Sequence, residues 1–451
     1  MEPAAPPRMP TFGEATRVWA RIGLLSFGGP AGQIALMHKM LVEERRWIGE
    51  RRFLHALNYC MLLPGPEAQQ LAIYIGWLMH RTAGGLVAGL LFVLPGALVM
   101  LGLSIGYALY GGTPVAASLF LGVKSAVLAV VIAAVIRIAG RALKGQASTA
   151  LAVAAFLGLF LLHIPFPAII ALAGLAGWLK PDLFQAPGHE QDIDEGPRGL
   201  VDEVIARGQA PHVVPSRGRV LKVLAVWLPL WLAPFAALFV LTGPASVWTR
   251  LAGFFGTMGV VTFGGAYAVL TYVAQAAVEG FGWLAPGEMV DGLGLAETTP
   301  GPLILVLQFV GFLAAYRQPG DLAPLLAGSL GALLTTWVTF APCFLWIFLG
   351  APYVEALRGH RAAAGALAAV TAAVVGVIAN LAVWFALHTL FGEVKRVAVF
   401  GIGPDLPVLS SLDWRAAVLS LAAMIAMLRF KTGMLPTLAA CAAAGWALSR
   451  I

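Results

Sequence analysis

The tripeptide Pro64-Gly65-Pro66, which returns as Pro300-Gly301-Pro302, constrains this chain more than any other feature. Each copy interrupts a run of apolar residues long enough to lie in a membrane. Proline lacks the N–H that a helix interior needs, and its ring blocks the preceding turn. Glycine reaches backbone angles that other residues resist. Proline is favoured at the first position of a helix, so Pro66 and Pro302 read as the starts of new helices. Each motif therefore predicts a break in hydrocarbon, followed by a helix whose unpaired N–H groups face the gap. Such a helix start is a ready site for an anion.

The surroundings fit that reading. Of 451 residues, 59% are hydrophobic and only 11% charged, where soluble domains carry roughly a quarter. The pattern predicts an all-α polytopic membrane protein in contact with lipid. The net charge of +7 does not predict a nucleic-acid partner. The basic residues sit in short loops beside apolar segments, where they mark the cytoplasmic side. Cys60, Cys343 and Cys441 fall inside apolar segments without CxxC spacing, so neither a disulfide framework nor a zinc site is expected. The first residues are Pro-rich and lack the short apolar core of a cleavable signal, so the first apolar segment is expected to insert directly. GxxxxGK[ST] and HExxH are absent. No catalytic residue, metal or cofactor is expected, and transport would be secondary.

The chain divides into a tail (1–10), a first transporter half (11–180), a polar linker (181–219) and a second half (220–451). The linker carries an acidic patch at Asp192, Asp194 and Glu195. The halves are copies. Phe27-Gly28-Gly29 matches Phe263-Gly264-Gly265, Trp47 matches Trp283, and the two Pro-Gly-Pro motifs match, all at an offset of 236. Two breaker motifs and a tryptophan in register are not a chance of composition.

Charge orients the copies. Lys39, Arg45, Arg46, Arg51 and Arg52 lie between the first two motifs, whereas Gln275 to Glu288 holds no lysine or arginine. The first loop is then cytoplasmic and the second faces outside, which predicts an inverted-topology repeat with broken or re-entrant helices. As one helix, Thr11 to Leu41 would be about 45 Å long against a hydrocarbon core of about 30 Å. Together with Arg17, Arg21 and Arg45, which prefer one side, this favours a hairpin turning at Gly28-Gly29.

Four breaks, two per half, would then converge. The candidate anion site comprises Phe27, Gly28, Gly29, Pro30, Gln33, Pro64, Gly65, Pro66, Glu67, Gln69, Gln70, Lys124, Phe263, Gly264, Gly265, Thr299, Pro300, Gly301 and Pro302. Each helix start offers unpaired donors and about half a positive charge, enough together to offset much of a dianion. Bland readings stand beside these. Gly28-Gly29 also suits close packing, and Gln69, Gln70 and Gln308 also suit hydrogen bonding between helices. Lys124 sits deep in an apolar span, where a charge is costly and functional, or it snorkels to the interface. Glu67 either complements a helix dipole or carries a proton. Glu297, whose counterpart is Met61, is a second proton-coupling candidate or a loop residue.

Ser26-Phe27-Gly28-Gly29-Pro30 with Gly32-Gln33-Ile34, then Leu63-Pro64-Gly65-Pro66-Glu67-Ala68-Gln69-Gln70-Leu71 and Ile75-Gly76, resembles the chromate ion transporter family. Thr262-Phe263-Gly264-Gly265-Ala266-Tyr267 and Thr299-Pro300-Gly301-Pro302 resemble the second domain of its long-chain, two-domain members. The resemblance implies a multi-pass protein of the bacterial inner membrane that exports chromate, with sulfate as a look-alike anion and inversely oriented domains. It allows either a single long chain or a homodimer as the working unit. The second half departs from the first, with Ala266, Tyr267 and Leu303 where the first has Pro30, Ala31 and Glu67. The rival expectations are a permease for sulfate or another oxyanion and a passive anion channel.

Overall fold

The computed structural model describes residues 9–184, 199–263, 266–353, 361–397 and 403–450. The acidic patch at Asp192, Asp194 and Glu195 and the pair Gly264-Gly265 lie outside the described residues. Helix dominates, as apolar runs in lipid require. The exception is a small antiparallel ribbon, Val394–Arg396 with Asp405–Pro407, which the sequence reading did not foresee.

The first half opens with two helical hairpins. Helix α1 (Phe12–Leu25) is 14 residues long, about 21 Å at 1.5 Å per residue, too short to cross 30 Å of hydrocarbon. Gly28 (φ 88°) and Gly29 (φ 70°) turn the chain into α2 (Gly29–His38). Both ends of this hairpin reach the same face. His80 bonds the carbonyl of Pro10 (2.9 Å), and Val201, which donates to the carbonyl of Trp47 (2.9 Å), lines one cavity with Met9, Phe12 and His80. The expected re-entrant turn is what the chain adopts. The second hairpin pairs α3 (Glu50–Leu62) with the first arm of α4 (Glu67–Tyr110), and its tip is Pro64-Gly65-Pro66. It too returns to the starting face, where His80 and Arg81 (φ 54°) reverse the chain.

That face carries Arg45, Arg46, Arg51, Arg52 and Arg81, which makes it the basic face of the molecule. The second arm of α4 then crosses the membrane, and α5 (Pro114–Ala142) crosses back. A tight pair, α6 (Gln146–Phe160) and α7 (Phe166–Leu179), comes next. A short helix, α8 (Leu200–Ala206), straps the basic face: Asp202 accepts from the Gly49 amide (2.7 Å) and pairs with Arg52.

Helix α9 (Arg217–Thr242) sets the orientation of the second half. It starts on the basic face, where Arg219 donates to the carbonyls of His212 and Phe348. Its 26 residues span about 39 Å. It ends beside the start of α10, with Thr242 bonded to Ser246 (2.6 Å). The second half therefore begins on the opposite face.

From there the architecture repeats. The hairpins are α10 (Val247–Val261) with α11 (Ala266–Gln275), and α12 (Pro286–Thr298) with α13 (Val306–Arg317). The crossing helices are α14 (Pro324–Gly350) and α15 (Arg361–Leu390), and the closing pair is α16 (Trp414–Leu428) and α17 (Met434–Leu448). Even the loop bonds repeat. Trp47 donates to Leu41 (2.9 Å) as Trp283 does to Ala277 (2.8 Å), and Leu63 to Cys60 as Thr299 does to Ala296, both at 3.2 Å.

The halves exchange elements. Helices α6 and α7 pack on α15 of the second half, and α16 and α17 pack on α5 of the first. Glycine permits the close approach. A Cβ at Gly376 would stand 2.0 Å from the Ala152 carbonyl oxygen, and one at Gly122 would stand 1.8 Å from that of Cys441.

Two outcomes check this architecture. With buried native thiols, single cysteines at Gly13 and Glu44 should react with an impermeant maleimide from one side of the membrane and one at Gly280 from the other. Labelling of Gly13 and Glu44 from opposite sides would refute the hairpin. Gly122→Leu or Gly376→Leu should lower stability by about 1–3 kcal/mol through overpacking, read as a lower detergent melting temperature. Gly102→Ala, whose added methyl meets nothing within 4 Å, should melt like the native chain.

Candidate functional site

The four hairpin tips meet where the halves meet. The Gly65 amide donates to the Thr262 carbonyl (2.8 Å), and the Gly301 amide donates to the Ser26 carbonyl (2.8 Å). These bonds are each other's equivalents under the repeat. Each second-hairpin tip is thus fastened to the first-hairpin tip of the other half. The accepting residues are themselves fixed alike: the Ser26 hydroxyl donates to Ile22 (2.6 Å) and the Thr262 hydroxyl to Met258 (2.5 Å).

The long crossing helices close the tips from the side. Gly301 approaches Gly96, and a Cβ on Gly96 would stand 2.0 Å from the Pro300 carbonyl oxygen. Gly65 approaches Cys343, whose sulfur would lie 3.1 Å from an added Cβ. Gly96 and Cys343 each come directly after a proline inside a long helix, Pro95 and Pro342. A helical proline frees the carbonyl four residues earlier. For Pro342 that is Val338, which accepts from the Trp231 indole (3.0 Å). Positive φ at Gly65 (116°) and Gly301 (86°) makes glycine the residue these tips require.

The candidate residues divide by what they touch. Gln33 is 1% exposed and donates to the Gly301 carbonyl (2.6 Å), and Gln70 donates to that of Pro64 (2.7 Å). Both amides therefore serve backbone carbonyls at the breaks. Gln69 is also 1% exposed, and its Oε1 has no hydrogen-bond partner among the described residues. The Thr299 hydroxyl turns back on Ala296 (2.8 Å). Gly28 and Gly29 face open space, since a Cβ on either meets nothing within 4 Å. No acceptor among the described residues takes their amides. Pro30 is half-buried beside them, as is Phe263 at the equivalent tip, whereas Pro66 and Pro302 are buried. Glu67 opens α4 with no cation paired to it among the described residues, and Glu297 accepts from the Tyr267 hydroxyl (2.6 Å) at 3% exposure. Gly264 and Gly265 lie outside the described residues.

Lys124 stands apart from the tips. It pairs with Asp291 at 3.3 Å, and Asp291 lies nine residues before Pro300. The Tyr107 hydroxyl donates to the same carboxylate (2.8 Å). Asp291 and Tyr107 were not among the residues read as functional. The signal was available: a carboxylate within an apolar helix meets the criterion that singled out Lys124.

A cavity of about 350 Å³ opens on the basic face between Phe12, His80, Arg81, Val201, Ile205 and His212. Burial holds the His212 imidazole below the ordinary histidine range, so the positive charge at this mouth comes from Arg81 and nearby Arg219.

Residues 13–178 and 249–446 match the sequence pattern of the chromate transporter family, and α9 falls between the two stretches. The chromate transport protein of Pseudomonas aeruginosa is 32% identical over 380 residues, covering 83% of this chain and 81% of that protein. The probable chromate transport protein of Synechococcus elongatus is 27% identical over 405 residues, covering 87% and 91%. The chromate transport protein of Cupriavidus metallidurans is 27% identical over 380 residues, covering 84% of each chain. No solved structure matches. Matched in two stretches that together take in most of its length, the chain belongs to the chromate transporter family.

Proposed function

We propose that this protein is a secondary transporter that carries chromate out across the bacterial inner membrane. The observation that carries the reading is the reciprocal closure of the tips, Gly65 on Thr262 and Gly301 on Ser26. Polar backbone in hydrocarbon is tolerated only where it is paired or lines a path. Here the pairing is between halves, so relative movement of the halves frees amides at the tips together. A tetrahedral oxyanion accepts from such amides, and the open Gly28 and Gly29 amides provide the first point of contact. Gln69 supplies a side-chain donor next to the Pro64-Gly65-Pro66 break.

Direction comes from charge. Moving two negative charges outward from an interior held 100 mV negative is favoured by roughly 4.6 kcal/mol. Arg81 and Arg219 at the basic mouth gather anions on the cytoplasmic side. Proton antiport adds a second driving force, with Glu67 or Glu297 as the carrier. Glu67 fits this role better, because it stands at a tip with no paired cation among the described residues, while Glu297 is engaged by Tyr267.

Inside-out vesicles should accumulate chromate when energised inside-positive, and their lumen should alkalinise in step with it, because antiport carries a proton out for each anion taken in. Non-saturating flux with no proton movement would point to a channel instead. Gly65→Leu and Gly301→Leu should each cut the rate more than about tenfold, because a side chain there strains the backbone and crowds the closing helix. Full transport by either variant would remove the tips from the pathway. Glu67→Gln should lose chromate-linked proton movement while keeping flux down a gradient. Intact coupling in both Glu67→Gln and Glu297→Gln would exclude both carriers.

A further inference from the structure

We infer that Lys124 is an oxyanion subsite between the hairpin tips and the face opposite the basic one, and that Asp291 is its built-in competitor. The inference rests on the transport reading and adds a second station to it. Lys124 on α5 and Tyr107 on α4 belong to the first half, and Asp291 on α12 belongs to the second. The cluster therefore spans the same boundary as the tips.

The pair is made for exchange rather than for permanence. Asp291 is buried, with a side chain 6% exposed, while Lys124 is 25% exposed. Their contact is 3.3 Å long, and Asp291 Oδ1 makes no hydrogen bond. A buried ion pair repays its desolvation only when the geometry is good and the remaining donors and acceptors are filled. This pair leaves them open. The ammonium offers three donors, and Asp291 is its single partner among the described residues. The neighbouring Arg317 shows the contrast. It grips both oxygens of Glu288 (2.9 and 2.5 Å) and donates to the Trp283 carbonyl (2.8 Å). Arg317 is spent, and Lys124 is spare.

The surroundings leave room for a ligand at the ammonium. A Cβ on Gly287 would stand 3.0 Å from Lys124 Nζ, so glycine keeps that approach open. An arriving dianion presents more charge and more acceptors than one carboxylate, so it draws the ammonium away. Tyr107 then keeps Asp291 Oδ2 satisfied, which makes it a positioning residue for the released carboxylate. When the anion leaves, Asp291 recaptures Lys124, and the station does not hold its cargo.

Chromate binding to the purified full chain at pH 8, by calorimetry or equilibrium dialysis, tests this. Asp291→Asn removes the competitor and should tighten binding by about tenfold, whereas Lys124→Met should weaken it by about tenfold. The double variant removes both charges, so it leaves no unpaired ion to prevent folding, and it should bind as weakly as Lys124→Met. Unchanged or weaker binding in Asp291→Asn, or a double variant within about twofold of the native chain, would overturn the subsite. Those results would leave the transport reading intact. A native chain that neither binds nor moves chromate would sink that reading, and this one with it.

Discussion

Two hydrogen bonds, Gly65 to Thr262 and Gly301 to Ser26, hold the problem that this fold has to solve. A hairpin that turns inside the membrane exposes polar backbone where no water can pair with it, at several kcal/mol for each group left alone. Neither half provides these acceptors for its own second tip. Each takes them from the other, so a half on its own would leave amides stranded in hydrocarbon. The exchanged packing of α6–α7 on α15 and α16–α17 on α5 obeys the same rule with apolar surface in place of hydrogen bonds. Two copies of one scaffold thus become one unit because each is incomplete in the same way.

The symmetry is not carried through to the side chains. Gln33 and Gln70 serve the Gly301 and Pro64 carbonyls, one in each break, yet both belong to the first half. Their equivalents are Val269 and Val306. The second half instead supplies carboxylates along α12, Glu288, Asp291 and Glu297, where α3 has Arg52, His55 and Met61. Duplication set the backbone, and the polar chemistry was then divided between the copies. The two sides of the transporter therefore differ electrically while sharing one geometry.

Much of this was legible in the residues. The breaks, the offset of 236 and the missing cations in the second loop were enough to predict paired, inverted halves. Helix length against bilayer thickness was enough to predict the turn at Gly28-Gly29. What bonds to each break was not legible, because the acceptors are main-chain carbonyls, and a carbonyl has the same signature at every position. For the same reason Gln33 and Gln70 read as anion donors, although their amides are occupied by the breaks themselves. Asp291 escaped notice for a different cause: it lies in the body of α12, more than two helical turns from the Pro-Gly-Pro motif, and only the fold brings Lys124 to it.

Helix α9 has a consequence for how such a chain could arise. The two hairpins of the first half return to the face they left, α4 and α5 cancel each other's crossing, and α6 and α7 form a third pair that turns back. A half therefore starts and finishes on one side. Joining two such genes end to end would yield parallel copies. A single additional crossing between them reverses the second, and α9, largely unburied along its most apolar stretch, is that crossing. The sealing bonds between the tips would otherwise require two separate polypeptides inserted in opposite senses. One extra segment lets a ribosome make both orientations in a single pass, in equal numbers and already side by side.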